Sequence, residues 1–219
     1  MIISRVASLI LLLGSSSSLA TSSPSEVSSL VTEVSIGTYY AAWGNSDTLF
    51  GAAMSAVGDV DADGTVDLAI GVPKRDSSQD GAVFLVYQTI TGEWHDYAII
   101  SPETVGIPTG NRARFGMAIA QVGSVDPEGI VTMAVSSIGA SALVSPFPEG
   151  AVHLIRVSYA TGTVWRHATF RGSEVGMDDS STEFGKALVA VGDVDGDGAA
   201  DVLVGAPGAA GGASRPIGE

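Results

Sequence analysis

The sequence predicts an all-β fold assembled from repeated four-stranded antiparallel units, and three observations carry that prediction. Gly accounts for 28 of the 219 residues while aromatics make up only 6%, with short Val, Ala, Ile and Leu runs set between turn residues. Short strands and tight turns need that composition; long helices do not. After the first residues, no stretch sustains a helical period of apolar positions. The chain also repeats itself: Phe50-Gly51, Phe115-Gly116 and Phe184-Gly185 recur at spacings of 65 and 69 residues.

Within each unit the elements follow in a constant order. A first strand follows Phe-Gly and ends at a second glycine, Gly58, Gly123 or Gly192. An acidic frame comes next: GDVDADGTVD at 58–67, GSVDPEGIVT at 123–132 and GDVDGDGAAD at 192–201. The second strand is the apolar run after that frame, DLAIGV, TMAVSS or DVLVGA. It closes with Gly71-Val72-Pro73 and Gly205-Ala206-Pro207, and with Ser136-Ser137-Ile138 in the middle copy. The third strand begins at Gly81-Ala82-Val83 and at Gly150-Ala151-Val152. A Thr-Gly turn, Thr91-Gly92 or Thr161-Gly162, leads to the fourth strand at Trp94 or Trp165. Gly readily takes the positive φ such hairpin turns require.

Four strands per unit, repeated, is the pattern of β-propeller blades rather than of a β-sandwich. The units run over about 50–114, 115–183 and 184–219, with 31–49 reading as the tail of an earlier unit. The whole segment, 31–219, is thus an incomplete ring of about 2.5–3 blades, where closed propellers have 4 to 8. The open stack points to missing blades, to self-association that completes a ring, or to a fragment of a longer protein.

The N-terminus reads as a cleavable signal peptide over residues 1–20. It has one early cation, Arg5, an apolar run from Val6 to Leu13, and small residues Ser18 and Ala20 before a cleavage after Ala20. The run is too short for the ~20 residues that span a bilayer, and no later stretch is long enough, so no membrane span is expected. A secreted chain follows, with a Ser-rich lead-in over 21–30. It has no Cys, so disulfides cannot hold its loops. The net charge is −14, with 10 Lys and Arg against 24 Asp and Glu, which argues against a nucleic-acid partner.

The acidic frames carry the chemistry. Counted from the first Asp, Asp59, Asp61, Asp63 and Asp67 stand at positions 1, 3, 5 and 9. Alternate residues converge as the loop curls, Gly64 at position 6 allows the turn, and Thr65 at position 7 offers its carbonyl. About six hard oxygen ligands suit Ca²⁺ better than Mg²⁺. Asp193, Asp195, Asp197, the Ala199 carbonyl and Asp201 repeat the set, for two Ca²⁺ sites in all. An EF-hand would need a carboxylate at position 12, where Ile70 and Val204 stand. Without a cation, four carboxylates within nine residues repel one another. The middle frame keeps only Asp126 and Glu128, with Ser124 and Thr132 at positions 1 and 9, and is expected to hold no metal.

Phe-Gly, GDVDxDGxxD, Gly-Ala-Pro and Gly-Ala-Val together resemble the FG-GAP repeat and the N-terminal β-propeller of integrin α subunits. The likeness covers about residues 50–212, strongly in the first and third copies and weakly in the second. It implies a seven-bladed propeller with calcium in the loops between first and second strands, on the face away from ligand recognition. The implied role is recognition or cell adhesion, with an extracellular protein or glycan as ligand.

Two rival functions are open to this sequence. Some FG-GAP proteins attach the repeats to a hydrolase. Here the histidines are His95, His153 and His167, all on expected strands, and there is no Cys, no Gly-x-Ser-x-Gly elbow and no zinc-ligand spacing. No enzyme is expected. A lectin-like module would use exposed aromatics, with Tyr39, Tyr40 and Trp43 the candidates.

Overall fold

The computed structural model describes residues 8–12, 31–35, 48–75, 79–91, 94–107, 112–123, 125–139, 149–177 and 182–209. They fall into two compact units, Met1–Ser46 and Asp47–Glu219. Tyr39, Tyr40, Trp43, Ser124, the lead-in 21–30 and the cleavage residues Ser18 and Ala20 lie outside the described residues.

In the first unit, β1 (Ser8–Leu12) pairs antiparallel with β2 (Val31–Ser35), setting Leu12 opposite Val31. The segment β1 lies inside the apolar run read as a leader. Leu and Ile serve both purposes, since a short apolar run satisfies a strand as readily as a leader core.

The second unit is all-β and repeats one motif. Its first blade has β3 (Met54–Gly58), β4 (Asp67–Val72), β5 (Ala82–Gln88) and β6 (Trp94–Ile100), hydrogen-bonded side by side in that order. The second blade has β7 (Ile119–Gln121), β8 (Ile130–Ser137), β9 (Ala151–Ser158) and β10 (Thr163–Arg171), again in sequence order. The last unit supplies β11 (Ala187–Gly192) and β12 (Asp201–Gly205), an antiparallel pair. All ten strands fall on the runs assigned from sequence, and every neighbour pair is antiparallel. The two full blades and the two-stranded third are the incomplete set of propeller blades expected.

The repeated motifs are also the places where successive units touch. The Phe115 amide donates to the Asp80 carbonyl (2.8 Å) and the Phe184 amide to the Glu149 carbonyl (3.1 Å), each just before a Gly-Ala-Val. Each Phe-Gly thereby docks on the start of the third strand of the preceding blade. Phe115 is fully buried there.

An apolar cluster joins the two blades, with Val57, Ala69, Val83, Leu85 and Ile100 from the first and Phe115, Met133, Val135, Ile155 and Val157 from the second. Burying each of its Val, Leu, Ile, Phe and Met side chains contributes about 1.5–3 kcal/mol. The third strand of the first blade, β5, is buried along its whole length, and its run AVFLVYQ is apolar on both faces up to the terminal Gln88. A smaller cluster around Ala134, Val152 and Phe184 ties the second blade to Leu188, Val202 and Val204. The other face of β11 and β12 exposes Val189 (51%) and Leu203 (60%).

Candidate metal centre

Each acidic frame is the loop joining the first and second strands of its blade. In the first blade β3 ends at Gly58 and β4 begins at Asp67, and the register slips between Ala56 and Gly58. The same slip occurs between Ala190 and Gly192 before the third frame. Such a bulge twists the strand end and turns the following residues out of the ladder. Gly64, expected to permit the curl, is left-handed at φ 92, and the glycines at the same position of the other loops match it, Gly129 at φ 73 and Gly198 at φ 90.

With the backbone curled, its amides point inward and the first carboxylate gathers them. Asp59 accepts from the amides of Asp63 (3.0 Å) and Gly64 (2.8 Å). Asp61 accepts from Asp63 at 3.2 Å, and Asp63 from Thr65 at 2.8 Å. The third frame reproduces this set. Asp193 accepts from Gly196 (2.7 Å), Asp197 (3.0 Å) and Gly198 (2.9 Å), Asp195 from Asp197 (3.1 Å), and Asp197 from Ala199 (2.8 Å).

Asp67 and Asp201 behave differently from each other. Asp67 is fully buried. Its Oδ2 accepts the Val60 amide at 2.8 Å and its Oδ1 the Gln88 amide at 3.0 Å, so it ties the loop to the end of β5. Burial pushes its carboxyl up from the ordinary value, while the Gln88 and Val60 amides pull it the other way. Beside it, burial and then the Asp67 charge push the Tyr87 phenol up to about 12, keeping it neutral. Asp201 is half-buried and accepts the Val194 amide at 2.8 Å. The Gln88 contact had no signal in the sequence, because a backbone amide carries none.

The loops bring together three-carboxylate groups suited to a cation. One oxygen each from Asp59, Asp61 and Asp67 lie within 4.8 Å of one another, as do oxygens of Asp193, Asp195 and Asp197. That span is about twice a Ca²⁺–oxygen distance of ~2.4 Å, and the donors are all hard oxygens. In the same loop the Thr65 hydroxyl oxygen is buried without a hydrogen-bond partner. Asp63 stands outside the first group and Asp201 outside the second.

The middle loop closes on itself. Asp126 Oδ1 accepts the amides of Glu128 (3.1 Å) and Ile130 (2.7 Å), and the Gly129 amide reaches the Asp126 carbonyl at 2.9 Å. Among the described residues it presents no three-carboxylate group.

His153 sits in the second blade between two hydroxyls. His153 is buried, with Nδ1 2.9 Å from the Thr169 hydroxyl and Nε2 3.1 Å from that of Ser137. Burial, with the charges of Arg166 and Arg171, lowers its pKa to about 3. It stays neutral, with each ring nitrogen beside a hydroxyl. His95 and His167 both lie on fourth strands, β6 and β10. No described helix is long and apolar enough to cross a membrane.

Comparison with known proteins agrees with this architecture. The FG-GAP repeat family matches residues 187–215, which contain the third acidic frame and its two strands. Integrin alpha-4 of Xenopus laevis is 32% identical over 158 residues, or 72% of this chain. The chain spans 14% of that relative's length. Blades, docking motifs and comparisons converge, and the chain is an integrin-α-like FG-GAP repeat protein.

Proposed function

We propose that this chain is a non-catalytic, calcium-stabilised propeller segment of an extracellular recognition or adhesion protein. One Ca²⁺ is held by Asp59, Asp61, Asp63, the Thr65 carbonyl and Asp67, and another by Asp193, Asp195, Asp197, the Ala199 carbonyl and Asp201. The observation that carries the reading is the convergence of carboxylate oxygens within 4.8 Å in both loops. Like charges at that separation repel, and a divalent cation reverses the sign of the interaction.

The ions are structural. A ligand that binds only the folded chain stabilises it by mass action, by about 2.7 kcal/mol per site at a hundredfold excess over Kd. In a chain without Cys, these loops take the place of disulfide staples. Residues 1–20 act as a secretion leader, whose removal after Ala20 takes β1 with it. The ligand is an extracellular protein or glycan, as the likeness to an integrin α subunit suggests.

Thermal melting in calcium and in EDTA tests the calcium reading: the midpoint rises with calcium, and an unmoved midpoint refutes it. The N-terminal residue of the secreted protein tests the leader, with Thr21 expected.

A further inference from the structure

The middle loop lost more than its carboxylates, because the residue facing it also changed. Leu68 pairs with Val86, so one step along the antiparallel register sets Asp67 opposite Tyr87. In the second blade the same step pairs Thr132 with Arg156. Tyr87 and Arg156 both stand six residues after the glycine of Gly-Ala-Val. At one facing pair, the closing carboxylate is exchanged for a hydroxyl and the phenol for a guanidinium.

Resting on the calcium reading of the first and third loops, we infer that Arg156 is a built-in cation that closes the middle loop and excludes a metal ion from it. Its Nη2 donates to Asp126 Oδ2 at 3.0 Å. Asp126 Oδ1 is already engaged by two loop amides, so the last free edge of the loop's central carboxylate goes to Arg156. The Trp165 ring also holds the guanidinium, with its centroid 5.7 Å from Cζ, and Trp165 is the cross-strand partner of Arg156. A guanidinium is weakly hydrated, so it sits in this half-buried place where an ammonium would hold water. A fixed positive charge on the central carboxylate repels any second cation. Arg156 is a positioning residue for the loop and the determinant of its metal specificity.

The test has two arms on the full chain. Hydrogen exchange reads the loop without any metal: in Arg156→Met the Glu128 and Ile130 amides exchange roughly tenfold or more faster, the low end of the change expected for losing one charged hydrogen bond. Arg156→Lys, whose ammonium keeps its water, restores only part of the protection. Unchanged exchange in Arg156→Met overturns the inference. Terbium titration reads specificity through Trp-sensitised luminescence. Ser124→Asp with Thr132→Asp returns carboxylates to positions 1 and 9, yet the chain still binds two ions while Arg156 remains. Adding Arg156→Tyr yields a third ion, sensitised by Trp165. A third ion bound with Arg156 present, or none in the triple variant while the other two bind, overturns the inference. If terbium binds nowhere and EDTA leaves the exchange of all three loops unchanged, the calcium reading fails, while the Arg156→Met exchange still decides the role of Arg156.

Discussion

Gly71 and Gly116 meet backbone to backbone: a Cβ on Gly71 would collide with the carbonyl oxygen of Gly116. The Gly51 amide also donates to the Gly71 carbonyl at 2.9 Å, and the Gly71 amide to the Ala53 carbonyl at 2.8 Å. The glycine before Val72-Pro73 therefore lies between its own Phe-Gly turn and that of the next blade. The Gly-x-Pro and Phe-Gly motifs are two sides of one contact between blades.

Gly71→Ala is accordingly expected to destabilise the protein by about 3 kcal/mol, since backbone must move to admit the methyl. Gly205 holds the matching place in the last unit, where the nearest atom to an added Cβ is the Ala187 Cβ at 3.3 Å. Gly205→Ala should cost less than about 1 kcal/mol, because a small shift relieves it. Urea midpoints of the two variants check the ranking, and equal losses would show that the blade contact is not the cause.

Asp67 and Asp201 share a motif position but not an environment. In Asp67→Asn the amide nitrogen must face one of two backbone donors, Val60 or Gln88, in a fully buried place. A loss of about 2 kcal/mol is expected in EDTA, where metal plays no part. Asp201→Asn, half-buried with its oxygen on the Val194 amide, should lose under about 1 kcal/mol. Denaturant unfolding of both variants in EDTA measures the difference.

His153 sets part of the acid sensitivity. Its pKa falls from 6.5 to about 3 on folding, so the unfolded chain takes up the proton first as pH drops. The contribution of His153 is intact above about pH 6.5 and declines by up to about 1.4 kcal/mol per pH unit down to about pH 3. His153→Gln keeps a polar group beside Thr169 or Ser137 but does not titrate. Stability measured from pH 7 to pH 4 should fall less steeply in this variant, and an unchanged slope would remove His153 from the account.

Ala62 is left-handed at φ 63 inside the first acidic loop, and the third loop has Gly196 at φ 81 in the same place. A Cβ in that conformation costs about 1–2 kcal/mol, partly offset by the greater freedom of Gly in the unfolded chain. Ala62→Gly should raise stability by about 0.5 kcal/mol. A lowered melting midpoint would count against the loop geometry.

Much of the blade architecture was legible in sequence because its determinants are local and repeated. The third strands start at Ala82 and Ala151, as the two Gly-Ala-Val motifs implied, and the acidic loops followed from alternate Asp residues around a glycine.

The sequence by itself determined that the chain is β, that its units repeat, and where three curled loops must lie, since period, turn residues and spacing act over a few residues. Only the tertiary structure decided what each loop is tied to. Asp67 joined to the Gln88 amide, Asp126 to Arg156, and Gly71 against Gly116 are contacts between strands or blades far apart in the chain. Backbone amides and register carry no residue signature, so those partners emerge only when antiparallel pairing brings distant segments side by side.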